Sequence, residues 1–103
     1  MALMDQFRLN GKVAVITGAG KGIGAAIAHA FAEAGADVVI GARTESDLKQ
    51  VAAGIAALGQ RALIVPTDVM EDEQLQNLAD RAVAEFGRID SLVNNAGGFP
   101  PKP

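Results

Sequence analysis

The sequence predicts an α/β fold in which helices cover a doubly wound parallel sheet. Short apolar runs alternate with longer segments of helical periodicity, in the order βαβαβαβ. These runs are continuously apolar, which is typical of parallel strands that are buried on both faces. A glycine-rich turn at residues 17–24 joins the first strand to the first helix, and it therefore places the start of that helix beside the end of the strand.

Composition narrows the class of protein and of partner. The chain has 103 residues, half of them hydrophobic, which is enough for one small domain. Its net charge is −3, and no basic stripe interleaved with aromatic residues is present, which argues against nucleic acid as a partner. No apolar run approaches the roughly 18 residues that a membrane span needs, so we expect no membrane partner.

Two further features bear on compartment and metal chemistry. The first residues lack the pattern of a signal peptide, so we expect a cytoplasmic protein. Cysteine is absent from the sequence, which excludes disulfides, thiol catalysis and cysteine-ligated metal. We predict no metal site.

The first strand is predicted at residues 12–17 and the first helix at about 22–34, with Gly35 ending the helix. His29 lies off the apolar stripe, so we interpret it as a solvated residue rather than a metal ligand or a base. The stripe that this helix should bury consists of Ile23, Ile27, Ala30, Phe31 and Ala34.

The second strand is predicted at residues 37–42, and Gly59 should end the helix that follows it. Thr44 is placed to cap this helix, with Asp47 three residues later in a variant of the capping box. The buried stripe of the second helix is predicted to be Leu48, Val51, Ile55 and Leu58.

The third strand is predicted at residues 61–65 and the fourth at 90–94. The third helix lies between them: it begins with acidic residues at 71–73, which complement the helix dipole, and it ends at Gly87. Its predicted buried stripe is Leu75, Leu78, Ala82, Val83 and Phe86.

Right-handed crossovers together with the early glycine turn imply a Rossmann-type sheet with strand order 3-2-1-4. Ligands of such sheets bind beyond the carboxyl ends of the strands, near the switch between strands one and four. Glycine allows backbone close to a ligand, and the first-turn N–H groups of the helix lack intrahelical partners. The turn is therefore predicted to bind an anion, most often a phosphate or pyrophosphate.

Three marks in this sequence resemble the short-chain dehydrogenase/reductase family. They are the pattern Thr-Gly-x-x-x-Gly-Ile-Gly at residues 17–24, the pair Asp68-Val69 after the third strand, and Asn-Asn-Ala-Gly at 94–97. The resemblance covers nearly the whole chain. It implies an oxidoreductase that transfers a hydride between a nicotinamide cofactor and an alcohol or carbonyl substrate, in a homo-oligomer of two or four subunits.

The resemblance also assigns roles at the crevice. The aspartate matching Asp68 binds the adenine amino group, although Asp68 could instead cap the third helix. Gly24 could serve close packing of helix on strand rather than binding. Asn94 should tie the sheet together. The full set of residues expected to bind the cofactor is Gly18, Gly20, Lys21, Gly22, Ile23, Gly24, Arg43, Thr44, Asp68, Val69, Asn95, Ala96 and Gly97.

The end of the second strand predicts which cofactor is bound. Enzymes that use NAD usually carry an acid here for the ribose 2′-hydroxyl, but this sequence has Ala42 followed by Arg43. An arginine can hold the 2′-phosphate of NADP in its planar fork, and Lys21 matches a second basic position in the family. We therefore expect NADP rather than NAD. The alternative is that both cations are merely solvated.

The residues that carry out catalysis in this family are not found here. The resemblance implies a catalytic set of an asparagine, a serine, a tyrosine and a lysine three residues after that tyrosine, but this sequence contains no tyrosine. We therefore interpret residues 1–103 as the NAD(P)-binding part of a longer enzyme, ending before the catalytic segment. A non-catalytic nucleotide-binding or interaction module is the alternative, and a methyltransferase is a weaker one. Residues 97–103 resemble a loop of bacterial hydroxysteroid dehydrogenases.

Overall fold

A computed structural model describes residues 8–95 of the chain. Strands and helices alternate through this range, as the sequence predicts, and each predicted boundary is within about two residues of the observed one. The elements are β1 (Val13–Thr17), α1 (Gly22–Glu33), β2 (Asp37–Ala42), α2 (Glu45–Ala57), β3 (Ala62–Pro66), α3 (Asp72–Phe86) and β4 (Ser91–Asn94).

The four strands form one parallel sheet in the order β3-β2-β1-β4, which confirms the predicted topology. Along β1, Val13 lies opposite Asp37 of β2, and Thr17 lies opposite both Gly41 and Asn94. This register aligns the carboxyl ends of the strands, so the segments that follow β1, β2, β3 and β4 all emerge at one edge of the sheet.

Alternate residues of the strands build a separate core on each face of the sheet, since successive side chains point to opposite sides. On one face, Ala14, Ile16, Val38 and Ile40 pack under α1 and α2. The other face has α3, whose buried residues form part of a second cluster. That second cluster consists of Val13, Val15, Val39, Val65, Leu78 and Ala82.

The predicted apolar stripe of α1 is wrong in part. Ile23 is 72% exposed and Ala30 is also exposed, while the fully buried residues of the helix are Gly24, Ala28 and Ala32. These three small residues, four apart, lie on one side of the helix and bring its backbone close to the sheet. Ile27 and Phe31 pack at the margin of this contact. The prediction chose a neighbouring face of the helix because the larger apolar side chains lie there.

The stripes of the other two helices also need correction. Leu58, which follows the last residue of α2, is 38% exposed, and on α3 Val83 is 50% exposed. Leu75 also lies partly open to solvent, whereas Leu48, Ile55, Leu78 and Ala82 are buried as predicted. A 3.6-residue period predicts which residues share a side of a helix, but not how wide a stripe the sheet covers.

The predicted helix ends are largely confirmed. Gly35, Gly59 and Gly87 each follow a helix with positive φ, between 81° and 108°, which glycine adopts at no steric cost. The predicted capping box is wrong: Thr44 occupies the N-cap position of α2, but its side chain makes no capping hydrogen bond. Asp47 is therefore free of that role.

Two carboxylates fasten the edge of the sheet opposite the carboxyl ends of the strands. Asp90 accepts a hydrogen bond from the Val13 backbone N–H and forms an ion pair with Arg88 at 2.8 Å. The hydrogen bonds from Arg88 hold the pKa of Asp90 below its usual value. Asp37 is paired with Arg61 at 2.7 Å. Desolvation raises the pKa of Asp37, but the hydrogen bonds from Arg61 outweigh it and leave that pKa lowered.

Gly24 should be far less tolerant of a side chain than Gly54, although both lie within helices. A Cβ at Gly24 would overlap the carbonyl oxygen of Gly18, whereas a Cβ at Gly54 would meet only the His29 ring, at 3.8 Å. We expect Gly24→Ala to lower the free energy of unfolding by about 1–3 kcal/mol or more. Gly54→Ala should be neutral or stabilise by up to about 1 kcal/mol. Urea denaturation of both variants checks this, and equal midpoints would contradict it.

An apolar surface lies along the outer edge of β4, which pairs with no strand among residues 8–95. Leu92 is 68% exposed there and, with Leu75 and Ile89, lines a pocket of about 210 Å³. An exposed apolar strand edge favours association. Residues 1–103 alone should therefore self-associate, and Leu92→Ser should weaken this association while Ile23→Ser, equally exposed on α1, should not. Sedimentation velocity measures it, and a stable monomer would contradict the prediction.

Candidate functional site

A crevice of about 450 Å³ opens at the carboxyl ends of β1, β2 and β3 and reaches the residue after β4. Four separate segments of the chain contribute to it, as the sequence predicts. Seven of its twelve lining residues have polar or charged side chains. The lining residues are Gly18, Gly20, Lys21, Ala42, Arg43, Thr44, Asp47, Thr67, Asp68, Val69, Met70 and Asn95.

Most of the predicted cofactor-binding residues meet in this crevice, but not all of them. Gly22 and Ile23 open α1 beside the crevice without lining it, and Gly24 is buried against the turn. Ala96 and Gly97 lie outside the residues that the structure describes. The predicted residues that line the crevice are Gly18, Gly20, Lys21, Arg43, Thr44, Asp68, Val69 and Asn95.

The glycine turn presents an uncapped helix start. Gly18 and Gly22 have φ values of 65° and 58°, which a residue with a Cβ adopts only with strain, and a Cβ at Gly22 would enter open space. Lys21 is the N-cap of α1, its side chain makes no capping hydrogen bond, and the first turn holds no acidic residue. The first N–H groups and the positive end of the helix dipole therefore face an open surface that suits an anion.

The Thr17 hydroxyl fastens β4 to the end of β1. It donates a hydrogen bond to Asn94 Oδ1 at 2.9 Å and accepts one from the Asn95 backbone N–H at 3.1 Å. The Asn95 side-chain amide in turn lies 3.5 Å from the Gly18 carbonyl oxygen. Asn94 thus ties strands together as predicted, and Asn95 is held at the back of the glycine turn.

Asp68 shapes the third side of the crevice through a local turn. Its Oδ1 accepts a hydrogen bond from the Met70 backbone N–H at 2.9 Å, and its own N–H donates to Gln74 Oε1 at 2.7 Å. The N-cap of α3 is Glu71, so Asp68 does not cap that helix. Its second carboxylate oxygen makes no hydrogen bond within residues 8–95 and remains able to accept one.

Charged side chains stand at the mouth of the crevice where β2 ends. Arg43 is exposed and takes part in no ion pair or hydrogen bond within the described part of the chain. Lys21 Nζ lies 3.8 Å from Asp47 Oδ2, so one of the two predicted phosphate-binding cations already faces an acid. The site therefore holds two cations and two carboxylates, Asp47 and Asp68.

Sequence reasoning missed three lining residues: Asp47, Thr67 and Met70. The position of Asp47, three residues into α2, suggested helix capping and hid its place in the crevice. Thr67 follows Pro66 directly, and its hydroxyl donates to the Val65 carbonyl oxygen at 2.7 Å. Met70 is 78% exposed beside Asp68, and nothing in its local pattern distinguishes it from a loop residue.

Residues 8–95 contain neither a metal-binding cluster nor a membrane-spanning helix. No group of three or more histidine, cysteine or acidic side chains is placed to hold a metal ion there. None of the helices in this range combines the length and the apolar character needed to cross a bilayer.

Replacing Thr17 with valine should loosen the back of the crevice. The hydroxyl is buried, and its loss leaves the Asn95 N–H and Asn94 Oδ1 without their partner. We expect Thr17→Val to destabilise by about 1–3 kcal/mol and to speed hydrogen exchange at the Asn95 amide. Thr67→Val, which removes one local bond of an equally buried threonine, should leave that exchange rate unchanged. Equal exchange at Asn95 in both variants would contradict this role for Thr17.

Comparison with known proteins gives a family match and relatives that are oxidoreductases. Residues 12–103 match the family profile described as short chain dehydrogenase. Over 99 residues the chain is 54% identical to an uncharacterised oxidoreductase of Mycobacterium tuberculosis and 46% identical to the 7α-hydroxysteroid dehydrogenase of Escherichia coli K12. Each alignment covers 96% of this chain but only 38% and 39% of the relative, so the chain spans about two fifths of their length.

Solved structures with the same fold include two that share nearly half of their aligned sequence with this chain. A 7α-hydroxysteroid dehydrogenase complexed with NADH and 7-oxo glycochenodeoxycholic acid superposes with a TM-score of 0.91 at 46% identity, covering 100% of this chain and 40% of that one. A short-chain type dehydrogenase/reductase from Mycobacterium marinum gives 0.88 at 45% identity, covering 95% and 40%.

Proposed function

Because this chain belongs to the short-chain dehydrogenase/reductase family, we propose that it forms the dinucleotide-binding part of an oxidoreductase. The reaction is the reversible transfer of a hydride between NADP(H) and an alcohol or carbonyl substrate. The observation that carries this proposal is the crevice, where an uncapped helix start and two cations meet at the carboxyl edge of a parallel sheet.

The residues present fit a dinucleotide. Gly18 and Gly22, both in left-handed backbone, open the turn to a pyrophosphate, and the N–H groups of Gly22, Ile23 and Gly24 stand at the start of α1 to bind it.

The free oxygen of Asp68 suits an amino group such as that of adenine. Asn95, together with Ala96 and Gly97, belongs on the ribose side, while Val69 supplies an apolar wall. A bound nicotinamide supplies hydride chemistry, and these residues bind and orient it.

The end of β2 favours NADP over NAD. Ala42 has no carboxylate to accept from the ribose hydroxyls of NAD, and the neighbouring Arg43 is exposed at the crevice with its guanidinium free of partners within residues 8–95. A guanidinium binds a phosphate through two parallel charge-assisted hydrogen bonds. Thr44 lies next to it and can donate its hydroxyl to the same group.

The catalytic groups are proposed to lie in a part of the enzyme that these residues do not include. The sequence has no tyrosine, and the relatives are more than twice as long as this chain. Residues 1–103 then serve as the cofactor-binding region of a cytoplasmic homo-oligomer. The hydroxysteroid dehydrogenases among the relatives favour a cyclic secondary alcohol or ketone as substrate.

Removing Arg43 should separate the two cofactors. We expect Arg43→Ala to weaken NADP binding by about ten- to a hundredfold, because a charge-assisted hydrogen bond contributes roughly 1.5–3 kcal/mol. NAD binding should change by less than about twofold, since NAD offers no 2′-phosphate to this side chain. Isothermal titration calorimetry of the full-length protein with each cofactor, at two ionic strengths, measures both constants.

Arg81→Ala is the matched control, because Arg81 is an exposed arginine of α3 that does not line the crevice. It should leave both dissociation constants unchanged. Equal losses for both cofactors in Arg43→Ala would show that Arg43 supports the local fold instead of recognising the phosphate. A parent protein that binds NAD more tightly than NADP would overturn the cofactor assignment, and one that binds neither would overturn the proposed function.

A further inference from the structure

Asp47 lines the crevice from the first turn of α2, where its charge also complements the helix dipole. It lies in the first turn of α2, yet the N-cap of that helix shows no side-chain hydrogen bond, so Asp47 is not part of a capping box. Its side chain is 27% exposed and its Oδ2 lies 3.8 Å from Lys21 Nζ, whose own side chain is 81% exposed. The carboxylate therefore borders the same space as the proposed phosphate-binding cations.

The backbone of the glycine turn makes room for this carboxylate. A Cβ at Gly20 would lie 3.0 Å from the Asp47 Cβ and 3.5 Å from the Ala42 Cβ. The absence of a side chain at Gly20 lets α2 approach the turn until Asp47 faces Lys21. Lys21 precedes α1 and Asp47 lies in the first turn of α2, so their pairing bridges two elements across the crevice mouth.

From this geometry we propose that Asp47 sets the strength of cofactor discrimination by holding Lys21. The inference rests on the proposed function and adds a specificity-determining residue to that same site. The Asp47 carboxylate offsets the charge of the Lys21 ammonium and competes with a 2′-phosphate for it. Arg43 has no such competitor within residues 8–95, so it acts on the phosphate at full strength.

Discrimination between NADP and NAD then depends on the charges of Arg43, Lys21 and Asp47, and not on the two cations alone. The Lys21–Asp47 pair is neutral as a unit and offers little attraction to an anion at a distance. Removing the carboxylate frees a full positive charge beside the crevice. Because Lys21 is largely exposed, solvent and salt limit the effect to that of a surface ion pair.

The test is Asp47→Asn, which keeps the size of the side chain and removes its charge. We expect NADP to bind about two- to fivefold more tightly, the range of an exposed charge pair, and NAD to change by less than about twofold. Glu45→Gln is the matched control, since Glu45 also lies in the first turn of α2 but does not line the crevice. Calorimetry on the full-length protein at two ionic strengths measures each constant, and circular dichroism checks that every variant is folded.

A double-mutant cycle with Lys21→Gln assigns the effect to the pair. In the Lys21→Gln background, Asp47→Asn should no longer tighten NADP binding, because there is no ammonium to release. A gain that persists in that background, or one that Glu45→Gln reproduces, would overturn the role of the Lys21–Asp47 pair. So would unchanged NADP affinity in Asp47→Asn while Arg43→Ala still weakens NADP selectively, and that result would leave the proposed function intact. If the parent protein binds neither NADP nor NAD, that result would instead overturn the proposed function itself.

Discussion

The close contact between α1 and the glycine turn is the constraint on which the rest of this structure depends. Gly24 lies so near Gly18 that a single methyl group would collide with its carbonyl oxygen. The same imagined methyl group would lie 2.7 Å from the Asn95 side-chain amide nitrogen. The end of β1, the start of α1 and the residue after β4 therefore share one small volume. Any group added there would separate all three.

The small residues of α1 follow from this constraint. Ala28 and Ala32 continue the line begun by Gly24 and keep the helix backbone close to the sheet along its whole buried side. Such close approach sets the first turn of the helix beside the crevice. The packing of the core and the electrostatic character of the site thus have a common origin in three residues with almost no side chain.

Sequence reasoning worked best where a local pattern has one structural meaning. The order of strands followed from the alternation of elements, and the helix ends at Gly35, Gly59 and Gly87 followed from the need for positive φ. The crevice was found because topology alone brings the carboxyl ends of parallel strands to one edge. The role of Thr17 as the link between β1 and β4 needed the register of strands far apart in sequence.

Reasoning from sequence failed where two patterns overlap. Ile23 begins an apolar period but lies at the open start of α1, and the helix packs through its small residues instead. Thr44 and Asp47 have the spacing of a capping box, yet Asp47 faces Lys21. Spacing along one helix cannot predict a partner on another segment, because the partner depends on how α2 meets the glycine turn.

The two aspartates at the opposite edge of the sheet separate acid sensitivity from ligand recognition. Asp37 and Asp90 have lowered pKa values, so the stability they add is present above the ordinary aspartate pKa of 3.8 and is lost as the pH falls through their folded-state values. Both side chains fasten the amino ends of strands, away from the crevice. A phosphate monoester changes charge near pH 6, well above that window. The ionisation of the 2′-phosphate of the proposed cofactor can therefore be followed by titration without these anchors of the fold titrating at the same time.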